Sequence, residues 1–257
     1  MQFTDYIFDL YGSLADVCTD EAPAAFWTRA AKDAEAFGAS LTGETLRARY
    51  LALCADEVRL RAETLPDVPE ALIEPELLNV FCRLLSECGA DAGNAAAFAR
   101  TFRRRSTRWL RPMPYASETL IALKQHGARV FLLSNAQSCF TRDELDALGL
   151  SDRFDGILLS SDAGMKKPYR GLFQLLLDRY AIDRGTAVMV GNDAVADIGG
   201  AHAAGLCSRY YHTWQSGPRP ASLPDDCLEI PDLSALLYTD LPFSEENRPA
   251  NLLTLTE

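Results

Sequence analysis

Hydrophobic positions along the chain fall into two textures. Late in the sequence, short apolar runs each end on a polar residue or a glycine: "ARVFLLSN" (128–135), "FDGILLSSD" (154–162), "TAVMVGND" (186–193), "CSRYYH" (207–212) and "CLEI" (227–230). The runs are continuous rather than alternating, as expected of parallel strands covered on both faces. Between them, apolar residues recur at helical spacing over 117–126, 141–148, 171–180, 198–204 and 233–237. An opening run, Tyr6 to Phe8, has strand character and stops at Asp9. Strands alternating with helices predict an α/β fold with a Rossmann-like, doubly wound parallel sheet.

Residues 22–108 have the second texture, with no strand pattern. Helical periodicity runs through "APAAFWTRAAKDAEAF", "TGETLRARYLALCADEVRLRAE", "EPELLNVFCRLLSEC" and "NAAAFARTFRRRSTRWL". Thr42 in "TGET" is placed to cap a helix start, and "LPDVPE" and "CGADAGN" read as breaks. The organisation predicted is a sheet core at 1–16 and 110–240, an all-helical cap domain inserted after strand one at 17–109, and a polar C-terminal extension at 241–257.

Charge and cysteine usage exclude several classes. With a net charge of −11 over 257 residues, the chain lacks the basic surface that binding to nucleic acid or anionic membranes requires. No stretch reaches the ~18 apolar residues of a membrane span. Asp5 and Asp9 stand where a signal peptide carries positive charge and then an unbroken apolar run. Seven scattered cysteines without a Cys-x-x-Cys pair read as reduced thiols, Cys18 included. The expectation is a soluble, cytoplasmic protein, with no nucleic acid or membrane partner and an oligomeric state that the sequence leaves open. "RRRSTRWLRP" (103–112) reads as a solvated helix face.

In open parallel sheets, ligands gather beyond the carboxyl ends of the strands. There the sequence places Asp9, then Ser134 and Asn135, then Lys166 and Lys167 in "GMKKPY", then Asn192, Asp193 and Asp197. A carboxylate such as Asp9 can split a hydrolysis into covalent capture and release. Gly12 lets the backbone turn sharply beside it.

Four elements in this order, "DLYGSL", "LLSN", "KKP" and "VGNDAVADIGGAHAAG", resemble the haloacid dehalogenase superfamily. The resemblance implies a hydrolase with a helical cap and Asp9 as nucleophile. It further implies that Lys167 steadies Asp9, and that Ser134, beside Gly12 and Asn135, holds the transferring group. Two unit negative charges 4 Å apart repel by about 4 kcal/mol at an effective dielectric of about 20. A Mg²⁺ ion would cancel that repulsion. By the resemblance its ligands are Asp9, the carbonyl of Tyr11 and an acidic-loop residue, Asp193 or the amide oxygen of Asn192, with Asp197 in support.

The activity implied is Mg²⁺-dependent hydrolysis of a small phosphorylated metabolite through an aspartyl-phosphate. Two departures keep alternatives open. Tyr11 stands where phosphatase members carry a second Asp as acid and base, and a phenol with a pKa near ~10 is a poor base, though it can donate. Asn192 aligns with a position that is commonly Asp. A metal-independent 2-haloacid dehalogenase, whose branch also carries Tyr at that position, is one alternative. A low-activity binding or regulatory protein of the same fold is the other.

Overall fold

The computed structural model of the protein describes residues 2–240, so the expected extension at 241–257 lies outside the described residues. Six strands, β1 (Asp5–Phe8), β4 (Arg129–Ser134), β5 (Gly156–Leu159), β6 (Ala187–Gly191), β7 (Cys207–Tyr211) and β8 (Cys227–Ile230), form one sheet. Every neighbouring pair is parallel, in the order β5-β4-β1-β6-β7-β8. The first strand is therefore central, and its register sets Phe8 opposite Leu132 on one side and Val190 on the other. Asp9, one residue further, leaves the sheet between the ends of β4 and β6.

Burial explains why these strands read as unbroken apolar runs. All four residues of β1 and all five of β6 are buried. Tyr6 and Phe8 face one layer with Leu120 and Leu123 of α5 (Ala116–Gln125), whereas Ile7 faces the other with Leu172, Phe173 and Leu176 of α8 (Arg170–Tyr180). Each such side chain contributes roughly 1.5–3 kcal/mol when fully buried. The strands thus have no polar face to display, as the doubly wound pattern predicts.

Between β2 (Ala15–Thr19) and β3 (Thr107–Pro112) lie α1 (Ala24–Glu35), α2 (Gly43–Thr64), α3 (Leu77–Glu87) and α4 (Ala95–Ser106). Their core is aromatic: Phe26, Trp27, Tyr50, Phe81, Phe98 and Phe102 pack together, with Phe26 and Phe102 ring centroids 5.0 Å apart. Phe140 of α6 (Ser138–Leu148) enters the same cluster and joins the helices to the sheet layer. Thr42 caps α2 as its sequence implies, its side chain accepting from the Thr45 amide at 3.1 Å.

The structure differs from the sequence pattern in three places. First, β2 and β3 form an antiparallel ribbon, so the stretch 103–112 is not one solvated helix face: α4 ends at Ser106 and the chain turns extended. Asp16 draws the ribbon together, accepting from Trp109 Nε1 at 3.0 Å and from Arg111 Nε at 2.7 Å. Pairing over five positions outweighs the weak helical continuation.

Second, β5 stops at Leu159 and the chain turns into a short helix, α7 (Ser160–Ala163). The Ser160 and Ser161 hydroxyls accept from the amides of Ala136 and Ser138 at 2.9 Å each, satisfying the start of α6. Third, the helix expected from 198 begins earlier, as a wide π-turn over Ala194–Gly199 that runs into α9 (Gly200–Ala203).

Candidate active site

The turn after β1 carries the residues that the sequence singles out first. Asp9 is buried at the strand tip, and Gly12 adopts φ +85°, a left-handed conformation natural only to glycine. A Cβ on Gly12 would collide with the Asn192 side chain, so this glycine lets the first and last loops touch. Gly191 has the same meaning at the end of β6, where a Cβ would strike the Asp197 carboxylate.

These loops converge on one ammonium group. Lys167 Nζ donates to Asp9 Oδ1 at 2.8 Å, to Asp197 Oδ1 at 2.7 Å and to the Leu133 carbonyl at 2.7 Å. All three side chains are buried, Lys167 at 3 % and Asp197 at 1 % exposure. Burial alone would lower the lysine, but the two carboxylates outweigh it and hold its pKa above the ordinary value. Burial pushes the Asp197 carboxyl up to about 7, against the pull of Lys167 and with repulsion from Asp9 adding to the rise.

Ser134 and Asn135, at the end of β4, complete this arrangement. Ser134 Oγ donates to Asp9 Oδ1 at 3.0 Å. The Asn135 side chain grips the lysine's backbone, accepting from Lys167 N at 2.7 Å and donating to Lys167 O at 3.0 Å. A cavity of about 170 Å³ opens over Asp9, Ser134, Lys167, Asn192 and Asp197, and none of its lining residues comes from α1–α4.

Of the acidic-loop residues, each has a different task. The Asp193 carboxylate accepts from the amides of Val195 and Ala196 at 2.8 Å each, capping the turn that follows. Asp197 spends its second oxygen on the Asp193 amide at 2.9 Å. Asp197 therefore has no carboxylate oxygen left over, whereas both amides bond Asp193 at Oδ1, and its Oδ2 has no hydrogen-bond partner among the described residues while the residue lines the cavity. Asp9 Oδ2 meets only the Ser13 hydroxyl, at 3.4 Å, and the Asn192 amide oxygen accepts from that same hydroxyl at 3.2 Å among the described residues.

Hard cations take oxygen ligands, often one carboxylate with waters and substrate oxygens. Asp9, Asp193 Oδ2, the amide oxygen of Asn192 and the Tyr11 carbonyl supply such donors among the residues that line the cavity. Among the described residues no group of three or more His, Cys, Asp or Glu side chains is arranged for a metal.

Tyr11 is the sequence candidate that the structure turns elsewhere. Its hydroxyl donates to Glu144 Oε2 in a very short contact and lies 3.1 Å from Thr141 Oγ1, both on α6. Arg103 of α4 closes the group, donating from Nε to Glu144 Oε1 at 2.6 Å with its guanidinium 5.6 Å from the centre of the Tyr11 ring. Burial, and then the Glu144 carboxylate, push the phenol well above its ordinary pKa. The hydroxyl is a poor acid, and its hydrogen bonds go to α6.

Sequence reasoning missed Glu144, Arg103 and Thr141, which no local motif marks, although Arg103 heads the basic stretch noted earlier. Ser13 could have been found, since it stands inside "DLYGSL". Gln215 lines the cavity from the loop after β7, its amide donating to the Val17 carbonyl at 2.7 Å.

A carboxylate with one free oxygen, a buried ammonium and a hydroxyl beside it thus meet at the tip of a central parallel strand, an arrangement that suits a hydrolase. The sequence profile of the haloacid dehalogenase-like hydrolases matches residues 6–205, and the chain belongs to that family. It is similar to the ribulose-1,5-bisphosphate 5-phosphatase of Halopiger xanaduensis, 39 % identical over 94 residues, which are 37 % of this chain and 39 % of that protein. It is also similar to the phosphoserine phosphatase of Thermus thermophilus, 30 % identical over 162 residues, or 63 % of this chain and 64 % of that one. Neither match reaches two thirds of the relative's length. Among solved structures, a 2-haloacid dehalogenase from Pseudomonas syringae pv. Tomato superposes with a TM-score of 0.54 at 25 % identity, covering 92 % of this chain and 97 % of that one.

Proposed function

We propose that the protein is a Mg²⁺-dependent phosphatase for a small phosphorylated metabolite, with Asp9 as nucleophile, residues 17–109 as a cap and 1–16 with 110–240 as the catalytic core. The observation that carries this reading is the division of labour on Asp9. Oδ1 is fixed by Lys167 and Ser134, while Oδ2 is left to a single long contact. A nucleophile held by one oxygen and free at the other is pre-oriented for attack. The phosphatase relatives support the choice of electrophile.

In this reaction Asp9 Oδ2 bonds to phosphorus as the ester P–O bond breaks, and the departing alkoxide takes a proton from water. Water then attacks the aspartyl-phosphate, releasing inorganic phosphate and restoring the carboxylate. Lys167 and Ser134 hold the oxygens around phosphorus as charge shifts among them. Asp9, the Tyr11 carbonyl and an acidic-loop oxygen, Asp193 Oδ2 or the Asn192 amide oxygen, would hold a Mg²⁺ ion, which would supply the remaining charge neutralisation. Asp197 stays outside that set, since Lys167 and the Asp193 amide occupy both its oxygens. Tyr11 takes no proton, so turnover of the intermediate is expected to be slow.

A panel of phosphate esters assayed with and without EDTA tests the reading. Phosphate release that chelation leaves intact, or an Asp9→Asn protein as active as the parent, would falsify it. One observation favours a second reading: Asn192 makes the last loop neutral where it meets Asp9, which suits a metal-free 2-haloacid dehalogenase. Halide release from 2-haloalkanoates, insensitive to EDTA, is the result that reading requires.

A further inference from the structure

Between α4, α6 and β3 lies a second cavity, of about 510 Å³, within the roughly 300–1,000 Å³ of small-molecule pockets. It shares no lining residue with the catalytic cavity. Its walls have two characters. Phe37, Leu110 and Phe140 give it apolar surface, while Arg100, Arg103 and Arg104 project from α4 at the i, i+3, i+4 spacing of one helix face.

The charges do not balance. Glu144 is taken by Arg103, and Asp143 reaches Arg100 only at 3.6 Å with both side chains more than half exposed. Arg104 has no carboxylate within 4.0 Å among the described residues. On a chain of net charge −11, this is a concave spot of positive potential with apolar walls. Such a combination selects negative charge and a hydrophobic body together.

We propose that this cavity binds an amphipathic organic anion, one carrying a single carboxylate, sulfonate or phosphate on an apolar body. The anionic group meets Arg104 and Arg100, and the body lies against Phe37, Leu110 and Phe140. Binding does not depend on the reaction assigned to Asp9. It does touch the site indirectly, because Arg103 in the wall holds Glu144, which holds Tyr11. An occupant therefore bears on the loop two residues beyond Asp9.

Titrating the full chain with anilinonaphthalene sulfonate tests this, read by fluorescence and calorimetry. One saturable site is expected. Arg104→Glu, at an exposed position, should weaken it about tenfold or more through repulsion. Ala97→Trp, which fills the cavity, should abolish it, with circular dichroism and Tm of both variants matching the parent. At saturation, amide hydrogen exchange over residues 10–15 should change. Dye affinity unaltered by Arg104→Glu, whatever Ala97→Trp does to folding, overturns the site, and unaltered exchange at residues 10–15 overturns its link to the Asp9 loop.

Discussion

Two buried groups in this protein use the same ingredients to different ends. Around Lys167, a cation sits between two carboxylates with a serine hydroxyl beside them. Around Glu144, a carboxylate sits between a guanidinium and a phenol, with a threonine hydroxyl beside it. The first is assembled from the ends of β1, β4 and β6 and the loop before α8, and it leaves one carboxylate oxygen unspent. The second bridges α4 and α6 to the turn after β1, and both oxygens of its carboxylate have partners. In the function proposed above, the group with a carboxylate oxygen to spare is the one assigned to chemistry, and the group whose carboxylate is saturated holds parts together.

Substitutions can break or sharpen that contrast. The largest effect is expected from Lys167→Met, which leaves Asp9 and Asp197 facing each other without a cation. Breaking a buried pair in this way costs about 3–5 kcal/mol. Denaturant unfolding should show a loss of that order, together with loss of phosphate release. Glu144→Ala strands Arg103 and the Tyr11 hydroxyl, and should cost roughly 2–3 kcal/mol by the same measurement. Pairing it with Arg103→Leu should recover part of that loss, since no charge is then left without a partner.

Tyr11→Phe should be milder, about 1 kcal/mol, and should leave kcat within about threefold of the parent. A fall of a hundredfold would mean that the phenol acts on the reacting atoms, and the contrast drawn here would fail.

The last signal is a slope rather than a single loss. The Asp197 carboxyl is raised to about 7 in the folded protein, above its ordinary value of 3.8. Between those pH values the folded state keeps a proton that the unfolded chain releases. The associated stability is present in acid and lost as pH rises through 7. Measured without divalent cations, the stability difference between the parent and Asp197→Asn should therefore shift against the parent from pH 5 to pH 8. Its slope cannot exceed about 1.4 kcal/mol per pH unit for one proton. A difference that is flat with pH contradicts the assignment.

The two groups also differ in how far the sequence announced them. Asp9, Ser134, Asn135, Lys167 and Asp197 were legible because parallel strands end where ligands bind, and each strand end is marked by a change from apolar to polar. Sheet order then brings those ends together whatever the intervening loops contain. Glu144 and Arg103 carry no such mark. They are charged residues on helices, and only the packing of α4 on α6 decides that they point inward. Asp193 shows how one residue can hold two roles: at the start of a turn its Oδ1 serves the amides behind it while its Oδ2 stays open toward the cavity ahead. The ribbon was missed because its two strands are short and 87 positions separate its paired threonines, Thr19 and Thr107.

That ribbon has a structural consequence of its own. Departure and return of the chain occur side by side, so α1–α4 hang from the sheet by a single two-stranded stem. Such a stem makes the helices an exchangeable cassette: a different bundle, or a bare turn, could be spliced between Thr19 and Thr107 without altering the register of β1 against its neighbours. Phe140 would then be the position to redesign, being, among the described residues, the one buried aromatic side chain that the sheet layer lends to the cassette.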